Sequence, residues 1–221
     1  MKSEYVVIGL GRFGMSVAKT LIQNGHEVLA IDKDEHTVQE ISSDATYAVQ
    51  IDSTDEMALE QLGIHKYAHA IVGIGEDLQA SILTTLLLKE MEVGRITAKA
   101  KDEHHGKVLS KIGATMLSFP ERDMGKRLGN LLSSNNLIDY LELSVDYNME
   151  EIRAPRGMGG KTILELDLNR KYGCIIIAIK DEFEKVNISP NANDLIREGD
   201  ILMIVGKHQA IQKLHKDYTK H

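Results

Sequence analysis

The sequence predicts an α/β fold in two parts: a Rossmann-like, doubly wound parallel sheet over residues 1–136, then a small α+β domain over residues 137–221. Three observations predict it. Short apolar runs alternate with helical patterns as far as residue 132, and alternation with short connections specifies βαβ units. The first run leads into the glycine loop GLGRFG at 9–14, the usual opening of a doubly wound sheet. Beyond residue 136 the pattern changes to strand-like runs around one helical stretch.

The strands of the first domain read YVVIG (5–9), EVLAID (27–32), TYAVQID (46–52), HAIVGIG (69–75), RITAKA (95–100) and a brief TMLSF (115–119). Val6, Val7 and Ile8, like Ile71 and Val72, show no polar alternation, because central parallel strands are covered on both faces. The intervening helices read MSVAKTLIQNG, EHTVQEISS, DEMALEQLGI, EDLQASILTTLLLKEME and DEHHGKVLSKIG. Pro120 stops the sixth strand and ERDMGKRLGNLLSS opens a helix whose Met124, Leu128, Leu131 and Leu132 form one apolar stripe. The turn-prone SNN at 134–136 sets the domain boundary. In the second domain, LIDYLEL, EEIRAP, CIIIAIK, KVNIS and ILMIVG read as strands. GKTILELDLNRKYG reads as one helical stretch, and HQAIQKLHKDY as a closing helix.

Composition narrows the function. The 221 residues carry a formal charge of −7, which argues against a general electrostatic grip on nucleic acid or anionic lipid. Cys174 is the only cysteine, so neither an intrachain disulfide nor a cysteine-based zinc cluster is available. A cytosolic location is the natural reading, with no secretory leader expected. The apolar patches at 80–88 and 174–179 are too short to cross a bilayer. A role at a membrane therefore requires a partner.

Gly9, Gly11 and Gly14 stand at GxGxxG spacing: Gly9 for the turn, Gly11 for backbone approach to a pyrophosphate, Gly14 for close helix packing. The helix that follows aims free N–H groups at phosphate oxygens, and Phe13 counts with the glycines among the loop's cofactor-binding residues. Asp32 ends the next strand, where a carboxylate bonds ribose hydroxyls and repels a 2′-phosphate, so NAD, ATP or ADP is favoured over NADP. Asp52 and Ser53 close the third strand on the same sheet edge and either meet the adenine or cap the next helix. Arg12 is the departure from a dehydrogenase loop: it either points to solvent or grips a further phosphate, as a triphosphate would offer. Lys99, late in the fifth strand, reaches the crevice or is exposed. Glu121 caps the helix after Pro120 or helps hold a divalent cation.

A catalytic set is hard to find. Adjacent His104 and His105 in DEHHGK read as a solvated helix start, and Cys174 as a buried core thiol with no paired base. The main alternative to a binding module is an NAD(H)-binding oxidoreductase or redox sensor using the same loop and Asp32.

VIGLGRFG, GEDLQASILTTLLLKE, KVLSKIGA with FPERDMG, and RKYGC resemble the cytosolic regulatory subunits of Ktr potassium-uptake systems, of the RCK or KTN class, over nearly the whole chain. The resemblance implies a nonenzymatic regulator with a Rossmann N-lobe and a small C-lobe. It implies a homodimer that assembles into an octameric ring beneath a membrane-embedded potassium-translocating subunit. It further implies ATP and ADP competing for the Rossmann site, with Arg12 at the terminal phosphate, Asp32 at the ribose, and Glu121 at a divalent cation, Mg2+ or Ca2+. It also implies cyclic di-AMP between two C-lobes, around Ile163, Asp167, Arg170, Ile175, Ile176 and Pro190, because a symmetric ligand suits a two-fold interface.

Overall fold

The structure is a computed structural model that describes residues 4–133 and 137–219; the boundary expected at residues 134–136 lies outside the described residues. The chain divides into two compact units, Met1–Gly125 and Lys126–His221.

In the first unit, six parallel strands, β1 (Glu4–Ile8), β2 (Glu27–Asp32), β3 (Tyr47–Gln50), β4 (His69–Val72), β5 (Arg95–Lys99) and β6 (Met116–Ser118), lie in the order β3-β2-β1-β4-β5-β6. The helices that return the chain are α1 (Arg12–Gln23), α2 (Glu35–Ile41), α3 (Glu56–Gln61), α4 (Leu78–Glu90) and α5 (Glu103–Ile112). Strand order reverses between β1 and β4, which creates a crevice at their carboxyl ends. Apolar runs without alternation are satisfied from both sides. Val6, Ile8, Leu29, Ile31 and Ile96 face one core, while Val7, Val28, Ala30 and Ile71 face the other. Each fully buried aliphatic side chain contributes about 1.5–3 kcal/mol.

α6 (Pro120–Leu132) runs across the junction of the two units and has no buried residue. Its expected stripe exists, yet Met124, Leu128 and Leu132 are 60%, 52% and 78% exposed.

The second unit is built on an antiparallel sheet. β7 (Leu137–Glu142), β8 (Tyr147–Arg153), β10 (Ile175–Lys180), β11 (Val186–Ile188) and β13 (Ile201–Lys207) stand in the order β11-β10-β13-β8-β7, while β9 (Lys161–Thr162) pairs with β12 (Leu195–Ile196). β8 and β13 alternate, burying Ile152, Leu202 and Ile204 against α9 (His208–Thr219) through Ile211 and Leu214.

The single helical stretch expected at 160–173 is corrected. It opens as β9 and splits into α7 (Ile163–Leu166) and α8 (Leu168–Tyr172), with Asp167 at φ 48° between them. The cause is a tertiary strand pairing, of Lys161 and Thr162 with Ile196 and Leu195, followed by a local cap. Thr162 and Glu165 form a capping box, with the Thr162 N–H donating to Glu165 Oε2 at 2.7 Å, and this starts a new helix immediately after a strand pairing.

Candidate nucleotide-binding site

The site is assembled from the loops at the carboxyl ends of β1, β2, β3 and β4. The Gly9 N–H donates to the Ile31 carbonyl at 2.8 Å and the Gly73 N–H to the Ile8 carbonyl at 2.7 Å, which ties the first loop to both neighbouring strands. Gly9 has φ 84°, and a Cβ there would lie 2.8 Å from the Ile74 nitrogen. A Cβ on Gly14 would fall on the Gly9 carbonyl oxygen, and one on Gly73 would come within 2.5 Å of the same atom. Gly11 differs: it is the N-cap of α1, makes no side-chain cap, and has open space where a Cβ would stand. The first-turn amides of α1 therefore meet no capping oxygen from that residue, the geometry that receives an anion.

These loops enclose a cleft of about 400 Å³ whose walls include Gly9, Gly11, Asp32, Asp52, Ser53 and the 73–77 loop. Asp32 holds the cleft together. Its Oδ2 accepts from the Leu10 N–H at 2.6 Å and its Oδ1 from the Asp34 N–H at 3.0 Å. Asp52 accepts from the Thr54 N–H at 2.9 Å and hydroxyl at 2.7 Å, and these bonds hold its carboxyl below the usual carboxylate range. Ser53 reaches the cleft, but its hydroxyl is buried against that of Thr84 at 2.8 Å.

The remaining N-unit residues lie further out. Phe13 is partly buried and packs against the core cluster that contains Val7 and Leu10. Arg12 is exposed at the start of α1, lining the α1 and α2 groove with Lys19 and Glu40. Lys99 Nζ pairs with Glu121 Oε1 at 2.7 Å. That pairing, followed by an N–H of Glu121's own backbone and by the charges of Lys99 and Arg12, holds the Glu121 carboxyl below its ordinary value.

The 73–77 loop belongs to the cleft although the sequence reading assigns it no ligand role; the Gly-x-Gly that ends HAIVGIG is its signal, since β4 flanks the switch point. The solvated reading of DEHHGK is half corrected. Asp102 caps α5 through the His105 N–H at 2.9 Å, and His104 is exposed. His105 is buried, its Nδ1 accepts from the Lys101 N–H at 3.2 Å, and burial pushes its pKa down. Among the described residues, no group of three or more His, Cys, Asp or Glu is placed to hold a metal.

In the second unit, Ile163 and Ile176 both pack on the core, Ile176 being 8% exposed. Ile175, its neighbour along the strand, points the other way and is 54% exposed. Pro190 is half-buried. Arg170 stands in solvent with its Nε 3.4 Å from Asp167 Oδ2.

Fold and site together define a two-domain protein of TrkA type. The TrkA-N domain model matches residues 5–120 and the TrkA-C domain model residues 150–217. The Ktr system potassium uptake protein C of Bacillus subtilis (strain 168) is 50% identical over 216 residues, 98% of this chain and 97% of its own. The Ktr system potassium uptake protein A of the same organism is 44% identical, covering 97% and 96%. The chain belongs to the family of Ktr system potassium uptake proteins, and membership there rather than in an enzyme family sets aside the oxidoreductase reading. Among solved structures, the GsuK RCK domain has TM-score 0.69 at 15% identity, covering 100% of this chain and 48% of its own, a likeness of fold. The GsuK channel bound to NAD has TM-score 0.56 at 26% identity, covering 99% of this chain and 38% of its own. No helix among the described residues is long and apolar enough to cross a membrane.

Proposed function

We propose that this protein is the nucleotide-gated regulatory subunit of a Ktr-type potassium uptake system, working at the cytoplasmic face on a membrane-embedded potassium-translocating partner. One observation carries the reading. The cleft at the β1 and β4 switch point combines the open N-terminus of α1 at Gly11 with the Asp32 carboxylate, the pair that receives a pyrophosphate and a ribose. ATP and ADP are the ligands, and the third phosphate supplies the differential affinity that a two-state assembly needs. A structural relative, GsuK, bears ADP in a structure of TM-score 0.51 at 28% identity, covering 59% of this chain and 34% of its own.

The exposed stripe on α6 supports a homodimer, the unit from which an octameric ring is built. A divalent cation, Mg2+ or Ca2+, is compatible with Glu121 only with further oxygen ligands from phosphates or a second copy, since such ions take six or more. Cyclic di-AMP is the second, inhibitory ligand, held by the exposed Ile175 and Arg170 with Asp167, Ile163 and Pro190 of two C-terminal units.

A second reading, an NAD(H)-responsive regulator, is favoured by the NAD carried by the GsuK relative. Calorimetric titration of the purified protein with ATP, ADP, NADH and cyclic di-AMP tests both. Micromolar binding of ATP and ADP is expected, and binding of NADH alone would overturn the adenosine-phosphate reading.

A further inference from the structure

Resting on the nucleotide reading of the cleft, we propose that the Glu121 carboxylate is a resident stand-in for the ligand's terminal phosphate. It neutralises Lys99 until that phosphate displaces it, which makes Lys99 a specificity-determining residue shared between protein and ligand.

The geometry is specific. Gly75 lines the cleft, and a Cβ at Gly75 would stand 2.8 Å from Lys99 Nζ, 3.1 Å from Cε and 3.3 Å from Cδ. The end of the lysine side chain thus rests against a backbone segment that forms the cleft wall, and a Cβ at Gly75 would make it shift. Its ammonium ends on Glu121 Oε1 at 2.7 Å, and Arg12 acts on the same carboxylate by charge. Glu121 is therefore seated on the Lys99 ammonium beside its own backbone N–H in the first turn of α6, and that cation and amide form an anion seat.

Exposure determines which partner leaves. The Lys99 side chain is 14% exposed, whereas that of Glu121 is 66% exposed. Returning a largely hydrated carboxylate to water costs little, while stranding the ammonium of the largely enclosed lysine without an anion costs more. The pair opens when another anion replaces Glu121. A diphosphate held at Gly11 has no further phosphate to offer, and a triphosphate does. The competition therefore discriminates ATP from ADP.

The test is a set of ATP and ADP titrations in a metal chelator, so that Glu121 has no cation to hold. Wild type, Glu121→Gln, Lys99→Met and the double variant are compared. Glu121→Gln is expected to bind ATP about threefold tighter while ADP changes little, the scale of a partly exposed ion pair. Lys99→Met is expected to weaken ATP about tenfold. In the Lys99→Met background, Glu121→Gln is expected to have no effect, since the seat is then empty of its main cation. Unchanged or weaker ATP binding by Glu121→Gln overturns the competition, as does a gain that persists without Lys99. Failure of wild type to bind either nucleotide overturns the underlying nucleotide reading, a result separate from binding that is indifferent to Glu121.

Discussion

Replacing Asp32 tests structure and ligand at once, because its carboxylate is used before any ligand arrives. Both oxygens accept backbone N–H groups, from Leu10 in the glycine loop at 2.6 Å and from Asp34 at 3.0 Å. The Leu10 bond is partly buried and the Asp34 bond exposed, so water replaces the second more readily than the first. Asp32→Ala removes both, and with about 1.5 kcal/mol for a charged, part-buried bond and about 0.5 for an exposed one, the loss is about 2 kcal/mol. Asp32→Asn keeps one acceptor, turned to Leu10, and costs about 1 kcal/mol. At about 3–5 °C per kcal/mol for a unit of this size, the first unit of Asp32→Ala melts about 6–10 °C lower in nucleotide-free buffer. Calorimetry of the two variants with and without ADP separates the effects. ADP affinity should fall about 100-fold in Asp32→Ala, since two ribose bonds to a charged group are also lost. A nucleotide-free melting temperature within 1 °C or so of wild type would refute the claim that Asp32 ties the loop. Unchanged ADP affinity would refute its place at the ribose.

Four other outcomes are expected. Arg12→Ala weakens ATP about tenfold more than ADP in equilibrium titration, and equal losses would remove Arg12 from the terminal phosphate. Arg170→Ala, which alters only an exposed guanidinium, leaves the melting temperature in place while weakening cyclic di-AMP about fivefold or more by calorimetry. Unchanged affinity would exclude that residue from the ligand. Leu128→Glu, at an exposed position of α6, shifts the stability of the single chain by no more than about 0.5 kcal/mol yet halves the mass seen by light scattering at micromolar protein. The Tyr172 hydroxyl donates to Asp217 at 2.9 Å, and burial followed by that carboxylate pushes its pKa up to about 12. With the folded value above the ordinary one, its stabilising contribution is whole below pH 10 or so and is lost as pH rises through about 12. Burial also pushes Tyr67 and Tyr218 up, so phenolate absorbance should show a late-ionising component that Tyr172→Phe reduces by one tyrosine's worth.

The first unit was legible in its sequence because each local choice agrees with the global fold. Val6 to Ile8 cannot alternate because both faces of β1 are covered, and the glycine spacing follows from the close approaches at Gly9 and Gly14. The second unit was less legible where tertiary pairing overrode helical periodicity. Nothing in KTILELDLNRKY announces that Lys161 and Thr162 will pair with Leu195 and Ile196, or that Asp167 will turn left-handed. At the site, residue type located Asp32 and Asp52 on the cleft, since strand ends place them there. It could not say that Ser53 spends its hydroxyl on Thr84, that Phe13 turns inward, or that Ile176 and Ile175 face opposite ways. Those outcomes depend on side-chain direction, which the sequence encodes only through the finished packing.

The Gly9 carbonyl has a consequence for how such a chain can change over generations. One oxygen excludes a side chain at Gly14, on a helix, and at Gly73, on the loop after a different strand. Relaxing either position requires moving that carbonyl, and moving it disturbs the other. Neither glycine can therefore be exchanged first and compensated later at its counterpart. Substitution is blocked jointly across more than fifty residues of separation, so change in the side chains that line this cleft falls on positions such as Asp32, Asp52 and Gln79 while the glycines beneath them stay fixed.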